Sequence, residues 1–223
     1  SHDVEKQYVL DDAIEIAGSS INHDFYKDGP HIVTGPIAIE GAMPGDVLKV
    51  EVLNLIPRVP YGVISNRHSK GALPGEFPET PRPSEPLHSH DPQTLGNVSV
   101  FTPIEKDTET EQWLGILNNR EGKRVTFPAI PFMGIMGVAP NTEELVHSVP
   151  PDAHGGNIDI KDLGVGATLY LPVFVKGGLF FTGDPHMAQG NGEVALTALE
   201  QSIRATFRIT LIRNNVAGTP VGS

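Results

Sequence analysis

Cysteine is absent from the 223 residues. That excludes disulfides and thiolate metal sites, so any bound metal must be held by His, Asp, Glu or backbone oxygen. Basic clusters longer than two residues are also missing, and the formal net charge is -11. Such a chain repels phosphate backbones and anionic lipid, so neither nucleic acid nor a membrane surface is an expected partner. No apolar run approaches the roughly 20 residues of a membrane helix, and the first residues lack a signal peptide's charged start and apolar centre. A soluble, cytoplasmic protein is expected. Aromatic residues are scarce, at 6%. The chain also lacks an initiator Met, and the polar start Ser1-His2-Asp3 suggests that it begins inside a longer polypeptide.

What the chain has in quantity is glycine and proline, 24 and 20 residues. Many turns joining short strands follow, hence a mainly β fold in a single domain over residues 1–223. Leu10, Ala13, Ile14 and Ala17 are spaced for a short amphipathic helix within 9–22. Thr34 to Asp46 reads as a short strand and a Pro44-Gly45 turn. Beyond it Leu48, Val50 and Val52 alternate with Lys49 and Glu51, which predicts a β-hairpin. From about 58 to 124 prolines recur, and a proline-rich insertion without long helices or central strands is expected. It carries His68, His88 and His90, of which the last two could share one face of an extended segment. Phe132 to Pro140, apolar and spaced by glycine, predicts a buried strand. Gly166 to Val175 repeats in outline Gly45 to Val52, each a glycine turn launching a strand. Ala205, Phe207, Ile209 and Leu211 predict a last strand, whereas Glu193 to Ser202 fits helix and strand equally.

Two clusters carry chemistry. Gly183-Asp184-Pro185-His186-Met187-Ala188-Gln189-Gly190-Asn191-Gly192-Glu193 places Asp184 and His186 on either side of a proline whose fixed φ stiffens the turn, a plausible two-ligand metal fork. Its glycines allow positive φ or close approach to a small ligand. In Gly155-Gly156-Asn157-Ile158-Asp159-Ile160, an extended backbone would point Asn157 and Asp159 to one side and the isoleucines to the other.

Taken together, Thr34-Gly35-Pro36 with Pro44-Gly45-Asp46, the Met133-to-Pro140 run, Gly155-Gly156-Asn157-Ile158-Asp159, and Gly183-Asp184-x-His186-x-Ala188-Gln189-Gly190-x-Gly192-Glu193 resemble the acetamidase/formamidase family, over about residues 31 to 212. The resemblance implies a jelly-roll-like β-sandwich with a small additional α/β part, assembled into homo-oligomers. It implies a hydrolase of small aliphatic amides that releases ammonia, with a divalent metal, zinc, in some members. Family members usually start earlier, and Asn191 stands where the motif usually has Asp.

Amides resist neutral water, so such a hydrolase must activate a nucleophile, stabilise an oxyanion and protonate the departing amine. Asp184 and His186 are the expected metal ligands, with His2 and Asp159 as preferred further ligands and His154 and His23 as weaker ones. Glu193 is the expected proton carrier, and Asn157 or Gln189 would orient the substrate amide by paired donors and acceptors. Glu143 and Glu144 are more simply solvated loop residues. Two other readings stay open: metal-free attack using Glu193 with Lys161, and a non-catalytic β-sandwich module holding structural calcium.

Overall fold

The computed structural model describes residues 6–19, 24–67, 70–74, 98–119 and 121–214. His2, His23, His68, His88 and His90 lie outside them, as do the prolines between 78 and 92. Eleven strands dominate the described residues, and helix is confined to a 3-10 turn (Lys6–Tyr8), α1 (Asp11–Ser19) and α2 (Phe25–Asp28). The mainly β expectation holds. Among the described residues no helix is long and apolar enough to cross a membrane.

The chain divides into two compact units. One gathers residues 1–22, 55–132 and 185–204. Its sheet is β3 (Tyr61–Asn66), β4 (Val98–Lys106), β5 (Trp113–Asn118) and β6 (Arg124–Ala129), in that order. β4 and β5 are the middle strands of this sheet, which corrects the expectation that proline density keeps central strands out of 58–124. β4 pairs with β3 from Val98 to Pro103 and with β5 from Ile104 to Lys106. Pro103 thus sits where the strand changes partners, a place that tolerates a residue without an N–H. Ile104, Ala129, Met187 and Leu199 form this unit's buried core, with Trp113, Phe127 and Ile203 packed against it.

The other unit gathers residues 23–54, 133–184 and 205–223. One of its sheets has the order β1 (Val33–Ile37), β10 (Phe180–His186), β7 (Phe132–Gly137), β8 (Gly155–Asn157); the other is β11 (Ile203–Ile212), β2 (Val47–Pro57), β9 (Thr168–Pro172). The strand predicted from Phe132 onward is buried at all six positions of β7. Phe180 of the first sheet meets Phe207 of the second edge-on, with centroids 5.6 Å apart. Leu48, Val50 and Val52 are buried, as their alternation predicts. The predicted hairpin does not form: β1 pairs with β10 and β2 with β9. Alternation chooses which face of a strand is buried, but it does not choose the neighbour. The two look-alike segments that follow Gly45 and Gly166 prove to be antiparallel partners, with Val47 opposite Pro172 and Glu51 opposite Thr168.

Asp46 closes the turn before β2. It is buried, and its carboxylate accepts from the backbone N–H groups of Met43 and Asn214, each at 3.0 Å, and from Arg213 Nη1 at 3.1 Å. These donors, the Asn214 N–H foremost, hold its carboxyl below the ordinary aspartate range. A depressed folded-state pKa stabilises the protein above the unfolded value, and that contribution is lost as pH falls through the folded value. Asp46→Ala is expected to cost about 2–3 kcal/mol at neutral pH. The deficit should shrink as pH falls from about 5 through the carboxylate range, read from urea midpoints of parent and variant.

Candidate functional site

β10 ends at His186, where the chain pairs with a segment that the sequence left undecided. Gln201 N donates to Pro185 O at 3.0 Å, Met187 N to Leu199 O at 2.9 Å and Leu199 N to Ala188 O at 2.9 Å. The stretch after Glu193 therefore turns and then runs antiparallel to 185–188, with Glu200 bridging to His186. Glu200 Oε2 lies 3.2 Å from His186 Nε2, and its Oε1 accepts from Ala198 N at 3.0 Å. Sequence reasoning missed Glu200. Its surroundings, Ala198-Leu199-Glu200-Gln201, give no periodicity that tells strand from helix.

The His186 ring is fully buried and stands edge-on to Phe132, with centroids 5.0 Å apart. Its Nδ1 is 3.0 Å from Gln189 Oε1. An amide oxygen only accepts, so Nδ1 carries the proton and the neutral ring's lone pair is on Nε2, facing the Glu200 carboxylate. Two electron-rich atoms at that separation call for a cation between them, a proton or a metal ion. Gln189 thus orients the imidazole, the service that an outer hydrogen bond gives a ligating histidine. The described residues include imidazole and carboxylate groups close enough to hold a metal ion, and His186 is common to them. Without sulfur, a metal here would be held by nitrogen and oxygen donors alone.

Asp184 lies two residues earlier on the same strand. Thr182 Oγ1 ties that strand to β7 by donating to Ile135 O at 2.8 Å. Asp184 Oδ2 lies 3.6 Å from His31 Nε2. Asn157 Nδ2 donates to Val149 O at 3.2 Å, while its Oδ1 is buried with no hydrogen-bond partner among the described residues. The extended alternation expected for 157–160 fails. β8 ends at Asn157, and the N–H groups of Ile158 and Asp159 both donate to Gly134 O. Asp159 then turns left-handed at φ 45, which leaves Ile160 exposed. His154 is buried, with its ring tilted against Phe181, whereas Glu143, Glu144 and Lys161 are exposed.

Left-handed backbone is uncommon for residues other than glycine, and outliers gather at functional sites. Among the described residues six such positions occur, and Asp159, Asp184 and Glu193 are three of them. Half of the strained non-glycine backbone therefore lies at the three carboxylates singled out from the sequence. The motif glycines divide differently. A Cβ on Gly183 would come 2.6 Å from Ile32 O, whereas Gly190 has nothing within 4 Å. Gly183→Ala is expected to cost about 2–4 kcal/mol by forcing β1 from β10, and Gly190→Ala less than about 0.5 kcal/mol, measured by thermal unfolding.

The sequence matches the Acetamidase/Formamidase family profile over residues 11–148 and 142–222. The chain belongs to that family. It is similar to the formamidase of Methylophilus methylotrophus, 28% identical over 83% of this chain and 53% of that protein. The acetamidase of Mycolicibacterium smegmatis is likewise 28% identical, over 83% of this chain and 54% of that protein. The crystal structure of acetamidase from Yersinia enterocolitica superposes with a TM-score of 0.66 at 31% identity, covering 82% of this chain and 50% of that one. This acetamidase/formamidase family chain thus spans about half the length of the curated relatives it matches.

Proposed function

We propose that the protein hydrolyses small aliphatic amides, formamide and acetamide among them, to carboxylate and ammonia with the help of a divalent metal. The observation that carries this reading is His186. It is buried, with Nδ1 on Gln189 and Nε2 facing Glu200, and it lies in the Gly183-to-Glu193 stretch on which the resemblance to the acetamidase/formamidase family partly rests. Zinc, when bound, lowers the pKa of water to about 7 and polarises a carbonyl. Asp184 and His186 would hold it, with one further ligand from among Asp159, His2 and, added from the structure, Glu200, leaving a position for water.

Glu193 is assigned the proton traffic, taking a proton from the attacking water and delivering it to the leaving nitrogen. Its left-handed backbone fits a residue held by its surroundings in a less favoured conformation. Asn157 is assigned the substrate amide, because its buried Oδ1 is an acceptor suited to an amide N–H and its Nδ2 is already anchored on Val149. Gln189, offered by the sequence as a second substrate contact, is assigned to orienting His186. The protein would work in the cytoplasm as a homo-oligomer. An imidazole at the centre of the donor set supports this enzyme over a calcium-holding module, whose ligands are oxygens.

The test is an ammonia-release screen over formamide, acetamide, propionamide and a small lactam, run beside elemental analysis. Release from the simple primary amides is expected, with loss on chelation and recovery on adding zinc. Release that persists after complete metal removal would sink the metal role, and no release from any of the four amides would sink the hydrolase reading.

A further inference from the structure

A second histidine, given no role above, sits between a hydroxyl and a carboxylate. His31 Nδ1 lies 2.7 Å from Ser148 Oγ, its backbone N–H donates to the same oxygen at 3.5 Å, and its Nε2 lies 3.6 Å from Asp184 Oδ2. The ring is 14% exposed and the Asp184 side chain 21%. Ser148 is itself fixed. Its N–H donates to Asp28 O at 2.9 Å, and the next carbonyl, Val149 O, is held by Asn157. Opposite the hydroxyl is Gly29, buried at φ 88, where a Cβ would come 2.2 Å from Ser148 Oγ. Only glycine leaves space for the hydroxyl there.

Donors and acceptors in this array order themselves. With the His31 backbone N–H at one side of Ser148 Oγ, the hydroxyl is free to donate its proton to Nδ1, the arrangement taken here. With Nδ1 accepting, the ring proton resides on Nε2, the nitrogen that faces Asp184. Asp184 is left-handed at φ 48 and precedes Pro185, a backbone that aspartate tolerates better than most residues and that sets where its side chain starts. Its Oδ2 faces the His31 ring at 3.6 Å.

We propose that Ser148 and His31 form a positioning relay that aims the Asp184 carboxylate, a support for the metal site rather than part of the chemistry. This rests on the assignment of Asp184 as a metal ligand. Outer residues that orient a ligand typically change metal affinity about 10–100-fold when lost. The Ser148 hydroxyl serves as an orienting group, not as a nucleophile.

The experiment is zinc titration calorimetry on the full chain and its variants, with the melting temperature of each metal-free variant recorded. His31→Ala and Ser148→Ala are expected to weaken zinc binding by about 10–100-fold. His31→Gln, whose amide nitrogen falls near the place of Nε2 but which offers Ser148 no acceptor at Nδ1, should bind more tightly than His31→Ala and more weakly than the parent. His31→Asn, whose amide falls near Nδ1 and stops short of Asp184, should bind like His31→Ala. This contrast between Gln and Asn is one that a merely structural role would not produce. Parent-like affinity in both alanine variants overturns the relay, as does a covalent adduct on Ser148 after treatment with phenylmethylsulfonyl fluoride, detected by mass spectrometry. A parent chain that takes up no zinc overturns the metal assignment and the relay together; uptake by the parent with unchanged variants overturns the relay alone.

Discussion

His186→Ala is expected to abolish both metal retention and amide turnover while leaving the fold intact at lower stability. The ring is wholly buried against Phe132. Removing it leaves a cavity and deprives Gln189 Oε1 of its donor, a combined cost of about 2–4 kcal/mol. That is within the usual stability of a domain, so the variant should be recoverable. Elemental analysis after exhaustive desalting decides the point. Full zinc occupancy in the variant would remove His186 from the ligand set.

Glu193→Gln should give the second large effect, a fall in turnover of at least about a hundredfold, the scale of losing a general acid or base. Volume and hydrogen-bonding reach are kept and only the exchangeable charge is lost, so folding, zinc content and KM for formamide should stay near the parent values. The φ of 42 at this position asks the same of glutamine as of glutamate. Single-turnover ammonia release would report the chemical step directly, and a rate within a few fold of the parent would exclude Glu193 as the proton carrier.

Periodicity made β2, β7 and β11 legible, because burial of one face or of both is written in consecutive residues. Pairing was not legible. The partner of β1 is almost 150 positions away in sequence, and the Pro44-Gly45 turn before β2 has the composition of a hairpin without being one. Proline density misled in a similar way, since Pro103 occupies a change of strand partner that composition does not mark. Asp184, His186 and Glu193 could be singled out because polar side chains among glycines are conspicuous. Glu200 and the His31–Ser148 pair could not be. Glu200 takes its meaning from a bridge to His186, and the other pair is separated by 117 positions. Asp159 is conspicuous in the sequence but its geometry is not, because one left-handed φ undoes an alternation that is written in the letters.

The left-handed carboxylates have a consequence for the protein's durability. Each non-glycine residue held in that region costs on the order of 1 kcal/mol or more, which glycine would not incur. With the roles proposed for them, heat resistance and amide hydrolysis should pull Asp159, Asp184 and Glu193 in opposite directions. A library of variants selected only for survival on heating should enrich glycine or asparagine at these three positions, and the survivors should be robust proteins without turnover.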